Sequence, residues 1–303
     1  MRSKRTANKP TNVKPQSDTR YSPSDTRHPA PETLLITSRD NSLLRQARAV
    51  RDGKVDELIF VEGLRLCEEA LRSALTIEAV IVSEELAQKE KAASLLAELG
   101  KTSERTATVS EKLLESISYT KTPQGIVVLA SRPESSANHF AAEQNDNPLI
   151  VVMHRINNPV NVGAILRTAE AAGATGAIAI RDTSDPFSPK SLRGAMGSAF
   201  RLPVWVGPTY QEALEWCCER GIQVICADVN AGTGYDEVDW QRPSALVLGP
   251  ESSGLSLEEI AAADQAVRIP MRGPAESLNV AVATGVLLYE AARQRLAVPR
   301  SSE

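Results

Sequence analysis

The sequence predicts an α/β protein in two folded parts: a small α/β sandwich, then a mostly parallel sheet covered by helices on both faces. Three observations carry this. From about Leu34 to Ala130, short β-branched stretches alternate with helical periodicity. A polar segment almost free of aliphatics, Ser131 to Pro148 (SRPESSANHFAAEQNDNP), then reads as a linker. From Leu149 onward the strands are apolar without alternation and are separated by helices, as strands buried on both faces of a parallel sheet require.

Residues 1–33 are rich in Pro, Ser, Thr and Asn and poor in large aliphatics, so burial cannot offset the entropy of ordering them. They read as a disordered basic tail, either a solvated extension or a phosphate tether. In residues 34–130 the pattern gives a helix SLLRQARAVRDG, a strand LIFVEG, a helix LRLCEEALRSAL, a strand IEAVIVS, a helix LAQKEKAASLLAELG, a helical SEKLLESI and a strand GIVVLAS. Arg45, Arg48 and Arg51 recur every three residues and share a helix face, which is either a solvated face or a phosphate-contacting strip. In residues 149–298 strand LIVVMHRI leads to helix VGAILRTAEAAG, strand TGAIAI, helix SPKSLRGAMGSAF, strand LPVWVG, helix TYQEALEWCCERG and strand IQVICADV. After a Gly-containing loop come strand SALVLG, helix LSLEEIAAAD, strand QAVRIPM and a final helix over Ser277 to Leu296, leaving a short tail at 299–303.

Composition narrows the function classes. The 303 residues include only four cysteines, with no disulfide framework or metal-ligand spacing, so no metal is expected and a reducing, cytoplasmic setting fits. No apolar run is long enough to span a bilayer, so no membrane partner is expected. The net charge of -4 at first argues against nucleic acid. Split along the chain, it becomes +5 over residues 1–31, -2 over 32–133 and -7 over 134–303, so the average conceals a basic arm and a local arginine strip.

Parallel sheets bind ligands at the carboxyl ends of their strands, and three loops there hold the unusual residues. In NNPVNVGAILRTA, Asn161 and Gly163 fit a tight turn into a helix, and Arg167 lies one turn inside it, so Asn161 and Arg167 can reach one site at the helix mouth. In LGPESSGLS, Gly249 and Gly254 flank Glu251, where a ligand can approach the backbone closely. In IPMRGPAESLNVAVATG, Ser277 or Asn279 opens the last helix, as caps or as ligands. Each loop alone also has a plain structural reading as a cap, a turn or a helix-start acid.

Together and in this order, the three segments resemble the SpoU (TrmH-like) family of RNA ribose 2′-O-methyltransferases, of the SPOUT superfamily. The resemblance rests on NxGAxxR at Asn161, Gly163, Ala164 and Arg167, on GxExxGL at Gly249, Glu251, Gly254 and Leu255, and on IPMxGxxxSLNVxxA from Ile269 to Ala283. FVEGLRLCEEAL and TKTPQGIVVLA resemble the family's ribosomal-protein-like RNA-binding domain.

The resemblance implies a C-terminal α/β-knot with a deep trefoil knot, a homodimer through the knot domain, and S-adenosyl-L-methionine as cofactor. It implies cofactor contacts from Leu248, Gly249, Gly254, Ile269, Met271 and Leu278, and catalytic roles for Arg167, Asn161, Glu251, Ser277 and Asn279. Arg167 would anchor phosphate and stabilise the developing alkoxide, since a guanidinium with a pKa above about 12 is a poor general base. The expected partner is RNA rather than DNA, with large-subunit ribosomal RNA favoured over transfer RNA because an extra domain precedes the knot. A transfer-RNA methyltransferase, a non-catalytic RNA-binding assembly factor and a small-molecule α/β enzyme are the alternatives. The last is disfavoured by the missing P-loop and dinucleotide fingerprints.

Overall fold

The computed structural model describes residues 33–296. The basic segment read before residue 33 and the short tail at 299–303 lie outside the described residues.

The first sheet is built by β1 (Thr33–Ile36), α1 (Ser42–Arg51), β2 (Leu58–Glu62), α2 (Leu64–Arg72), β3 (Ile77–Ser83), α3 (Glu84–Ala87), α4 (Glu90–Thr102), β4 (Ser103–Val109), α5 (Glu111–Ile117) and β5 (Ile126–Ser131). Its strand order is β1-β4-β3-β5-β2, with β4 parallel to β1 and β3 and with β5 antiparallel to β3 and β2. Helical periodicity locates α1, α2 and α5 well. It overlooks β1 and β4, because β4 (SERTATV) presents polar side chains at most positions and buries mainly Ser103, Ala107 and Val109. The single helix expected over 86–100 is two: the Ser83 hydroxyl accepts from the Leu86 N–H to cap α3, and the chain turns before α4.

The polar stretch read as a linker carries a docked helix, α6 (Ala137–Ala142), capped by the Ser136 hydroxyl accepting from the His139 N–H. Its Phe140 is fully buried between Trp205 and Trp216, with ring centroids 6.3 and 5.3 Å away. One aromatic side chain in the correct register anchors a segment whose average composition is polar.

The second sheet follows with β6 (Leu149–Met153), α7 (Pro159–Ala171), β7 (Gly176–Ala179), α8 (Pro189–Ala195), α9 (Ser198–Arg201), β8 (Val204–Val206), α10 (Tyr210–Glu219), β9 (Gln223–Ala227), β10 (Thr233–Gly234), β11 (Ser244–Leu248), α11 (Leu257–Ala261), β12 (Gln265–Arg268) and α12 (Val280–Leu296). All of its pairings are parallel, in the order β10-β12-β9-β11-β6-β7-β8. Every residue of the central strands β6 and β11 is buried, as their unbroken apolar sequences require. The helix expected over SPKSLRGAMGSAF breaks at Met196 and Gly197, whose φ angles of 51° and 94° are left-handed.

The two sheets share a continuous apolar core that joins Val61 and Leu66 to Leu192 and Ala195. Two arginines brace the junction. Arg132 pairs with both carboxylate oxygens of Asp185 at 3.1 and 2.6 Å and lies over the Phe187 ring. Arg201 binds Glu69 at 2.6 Å and Glu170 at 2.6 and 3.0 Å. Among the described residues no helix is long and apolar enough to cross a membrane.

Candidate active site

The carboxyl ends of β9, β11 and β12 open onto a cleft of about 640 Å³, closed on its other side by the loop that leads into α12. That size is ordinary for a site taking a cofactor-sized molecule. Leu248, Ile269, Leu278, Val280 and Leu287 supply apolar wall, and Asp228, Glu251 and Glu276 supply acidic groups. An apolar wall with carboxylates at its edge suits a ligand that combines a flat aromatic group with positive charge. Leu248, Gly249, Gly254, Ile269, Met271 and Leu278 all line the cleft, as do Glu251, Ser277 and Asn279.

The glycines of the middle loop serve the loop itself. A Cβ on Gly249 would lie 2.9 Å from the Leu255 backbone nitrogen, and Gly254 has φ +66° and donates its N–H to the Pro250 carbonyl at 2.9 Å. The chain folds back on itself between residues 249 and 255, which presents Glu251 at the turn.

Asn161 joins all three loops. It is buried in the first turn of α7, donates from Nδ2 to Glu251 Oε1 at 2.7 Å, and accepts at Oδ1 from Asn279 Nδ2 at 3.3 Å. Asn279 in turn accepts at its own Oδ1 from the Ala281 N–H at 3.0 Å, which makes it the cap of α12. Ser277 is exposed in the preceding loop.

The tight turn expected at Gly163 lies earlier. Asn158 caps α7 by accepting from the Val160 N–H, and Pro159 occupies the first turn, so the helix begins several residues before Gly163. Gly163 is instead a packing position: a Cβ there would run into the Ser191 carbonyl oxygen and stand 2.8 Å from Gly194 Cα. The early start also moves Arg167 two turns into the helix. Six residues place it about 120° around the axis from Asn161, and it is exposed and outside the cleft lining. The structure therefore brings Asn161, Glu251, Ser277 and Asn279 together and leaves Arg167 on the neighbouring surface.

The α1 strip is likewise reduced. Arg51 Nη1 donates to the carbonyls of Ser116, Ile117 and Ser118 at the end of α5, its Nε pairs with Asp52 at 2.8 Å, and Arg48 donates to the Arg39 carbonyl. Of the three, only Arg45 is exposed and without such a partner among the described residues. A spacing of three identifies a shared face and cannot reveal that a helix end lies beneath it.

A support that the sequence reading missed stands behind the cleft. Ser256 and Glu259 form a capping box at the start of α11. The Glu259 carboxylate also meets His154 Nε2 at 2.8 Å and Arg155 Nη2 at 2.7 and 3.0 Å, and Tyr210 donates its hydroxyl to the Glu259 carbonyl at 3.0 Å. Burial acts to raise the Glu259 pKa. The Ser256 N–H, His154 and Arg155 outweigh it and hold the carboxyl below its ordinary range. The S-x-x-E spacing of Ser256 and Glu259 is a capping signature that could have located the cap, whereas nothing local marks the partners from residues 154 and 155. Burial also pushes the thiols of Cys67, Cys217 and Cys226 up, Cys217 to about 12 and Cys226 to about 11, so these thiols stay protonated at neutral pH.

Comparison with known proteins matches residues 148–289 to the SpoU rRNA Methylase family and residues 42–128 to the MRM3-like substrate binding domain. An uncharacterized tRNA/rRNA methyltransferase of Synechocystis is 33% identical over 265 residues, covering 86% of this chain and 94% of that protein. The 23S rRNA (guanosine(2553)-2′-O)-methyltransferase RlmP of Bacillus subtilis is 30% identical over 232 residues, covering 76% of this chain and 86% of RlmP. The crystal structure of an AdoMet-bound rRNA methyltransferase from Sinorhizobium meliloti superposes with a TM-score of 0.74 at 31% identity, covering 86% of this chain and 98% of that one.

Proposed function

The chain belongs to the SpoU rRNA methylase family, and we propose that it methylates a ribose 2′-hydroxyl of 23S ribosomal RNA, with S-adenosylmethionine as methyl donor. The observation that carries this reading is the Asn161 junction, which gathers Glu251 and Asn279 onto the rim of one cleft at the strand ends. The 23S assignment draws on RlmP, whose resemblance extends over most of both chains, and on the match of residues 42–128 to a substrate-binding domain.

The donor supplies an electrophilic methyl group, so the protein's task is to align the hydroxyl and stabilise the charge that develops on its oxygen. Leu248, Gly249, Gly254, Ile269, Met271 and Leu278 line the cleft and would hold the cofactor, and the carboxylates of Glu251 and Glu276 would offset its positive charge. Asn161, fixed by Glu251 and Asn279, orients the ribose, and Ser277 lies on the same rim. Arg167 reaches the RNA from the solvent side of α7, where its guanidinium anchors the phosphate beside the target ribose.

The same reading includes a trefoil knot made by the loops around 249–256 and 269–279. Its support is the position of β11 between β9 and β6, and the path of α12, which follows β12 and packs on α7. It includes a homodimer through the same end of the molecule, supported by Val282 and Tyr289, two large side chains seven residues apart on one face of α12 that are 54% and 56% exposed. It places the enzyme in the cytoplasm, with its RNA.

Mapping ribose 2′-O-methylation across ribosomal and transfer RNA, in cells with and without the protein, tests the proposal. The loss of one 23S site is the expected result. Loss of a transfer-RNA site alone would overturn the substrate, and an unchanged map would overturn the activity.

A further inference from the structure

A second groove, of about 240 Å³, lies where the first sheet meets the second. Glu62, Gly63, Arg65 and Leu66 line it from the β2–α2 corner, Thr120, Thr122 and Gln124 from the loop before β5, and Arg193 and Met196 from the end of α8. Its chemistry is cationic and polar. Arg65 and Arg193 are exposed, and neither has a hydrogen-bond or ion-pair partner among the described residues. Arg51, Arg132, Arg155, Arg201 and Arg295, in contrast, are all spent on internal partners.

The one acid in the lining makes no ion pair with either arginine among the described residues. Glu62 is buried, and its carboxylate accepts from the Tyr119 N–H at 2.9 Å, the Thr120 N–H at 3.2 Å and the Thr120 hydroxyl at 2.6 Å. Its work is to fix the 119–124 loop against β2. Gln124 completes that loop by accepting from the Leu64 N–H at 3.0 Å, in a space kept open because Gly63, at φ +101°, has no Cβ. The walls are thus held before any ligand arrives, and the Arg201 bridge between Glu69 and Glu170 holds the two sheets together beside them.

Two further features indicate what such a groove accepts. Tyr119 is not in the lining but directly precedes Thr120, which is; its backbone is tied to Glu62 and it leaves 44% of its surface exposed. Arg193 precedes Gly194, whose backbone lies against Gly163 and the Val160 carbonyl in the α7 turns that carry Asn161. We propose that this groove binds a single-stranded stretch of the substrate RNA next to the methylated nucleotide, with Arg65 and Arg193 on phosphates and Tyr119 stacked on an unpaired base. The inference rests on the RNA-methyltransferase reading and moves the principal basic contact from α1 to the junction of the two sheets.

The test uses the full chain, a protein-free 23S rRNA transcript and S-adenosylmethionine. Arg65→Gln/Arg193→Gln should weaken transcript binding and make the slope of log Kd against log salt shallower by about 0.7 for each arginine removed. Its affinity for S-adenosylmethionine should stay at the wild-type value. Arg65→Lys/Arg193→Lys should keep the slope, and Tyr119→Ala should weaken binding about five-fold or more while Tyr119→Phe does not. A double Gln variant with wild-type slope and affinity, from a wild-type protein that methylates RNA, overturns the groove. A wild-type protein that methylates no ribosomal or transfer RNA overturns the underlying activity instead, and the change of slope still reports on the groove. Circular dichroism melts establish that the variants fold.

Discussion

Asn161 and Glu251 stand 90 residues apart in the chain and meet through a 2.7 Å hydrogen bond from the amide Nδ2 to the carboxylate Oε1. The bond joins the first turn of α7 to the folded-back loop after β11, so it sets the shape of the cleft rim. A hydrogen bond to a charged group contributes about 1.5–3 kcal/mol. Asn161→Ala should therefore lower single-turnover methyl transfer about ten-fold or more, and Glu251→Gln should fall in the same range. Because the two side chains share one hydrogen bond, the loss in the double variant should be smaller than the sum of the two single losses. Fully additive losses would show that the two side chains work separately.

Gly163 separates packing from chemistry. A methyl group there would collide with the Ser191 carbonyl oxygen and force α7 away from α8. Overpacking of this kind costs about 1–3 kcal/mol, so Gly163→Ala should lower the melting temperature by several degrees and shift Asn161 off the rim. Gly100 lies inside α4, where an added Cβ would meet nothing within 4 Å, so Gly100→Ala should leave the protein as stable or stabilise it by up to about 1 kcal/mol. Equal melting temperatures for the two variants would contradict this account.

These residues also show which parts of the fold could be read in the sequence. The apolar runs of β6 and β11 need no neighbours to be recognised, and the three loops were visible as concentrations of Asn, Gly and Ser after strands. The family resemblance named Asn161, Glu251 and Asn279 as site residues; the structure adds that Asn161, behind the lining, bonds to Glu251 and Asn279, which line the cleft. What stayed hidden depends on distant partners. Arg51 looks like a surface cation until the end of α5 is placed beneath it, and Phe140 looks like a stray aromatic until Trp205 and Trp216 surround it. The position of Arg167 turned on where one helix begins, which Asn158 and Pro159 decide.

Arg167 is exposed and outside the cleft lining, so its removal should spare cofactor binding and affect catalysis. Arg167→Ala should keep the wild-type affinity for S-adenosylmethionine and lower kcat/KM for RNA by about ten-fold or more, the scale of a lost charge-assisted contact. Arg167→Lys should recover little of that loss, because an ammonium cannot hold a phosphate through two parallel bonds. Near-normal turnover in the lysine variant would leave a guanidinium-specific role untenable.

Glu259 links the stability of the cleft loop to pH. Its carboxyl is held below the ordinary range in the folded chain despite burial, because the Ser256 N–H, His154 and Arg155 all favour the charged form. With the folded pKa below the unfolded value of about 4.3, the stabilising contribution is present above that pH and is lost as pH falls through the folded value. Glu259→Gln keeps the size of the side chain but removes its charge. At pH 7 it should cost about 1–3 kcal/mol, since Arg155 and the buried His154 lose their charged partner. Chemical denaturation of both proteins across acidic pH checks this: the gap between them should narrow as the wild-type carboxyl protonates. A gap that stays constant down to the lowest pH at which both remain folded would mean that the charge on Glu259 does not hold α11 and its preceding loop in place.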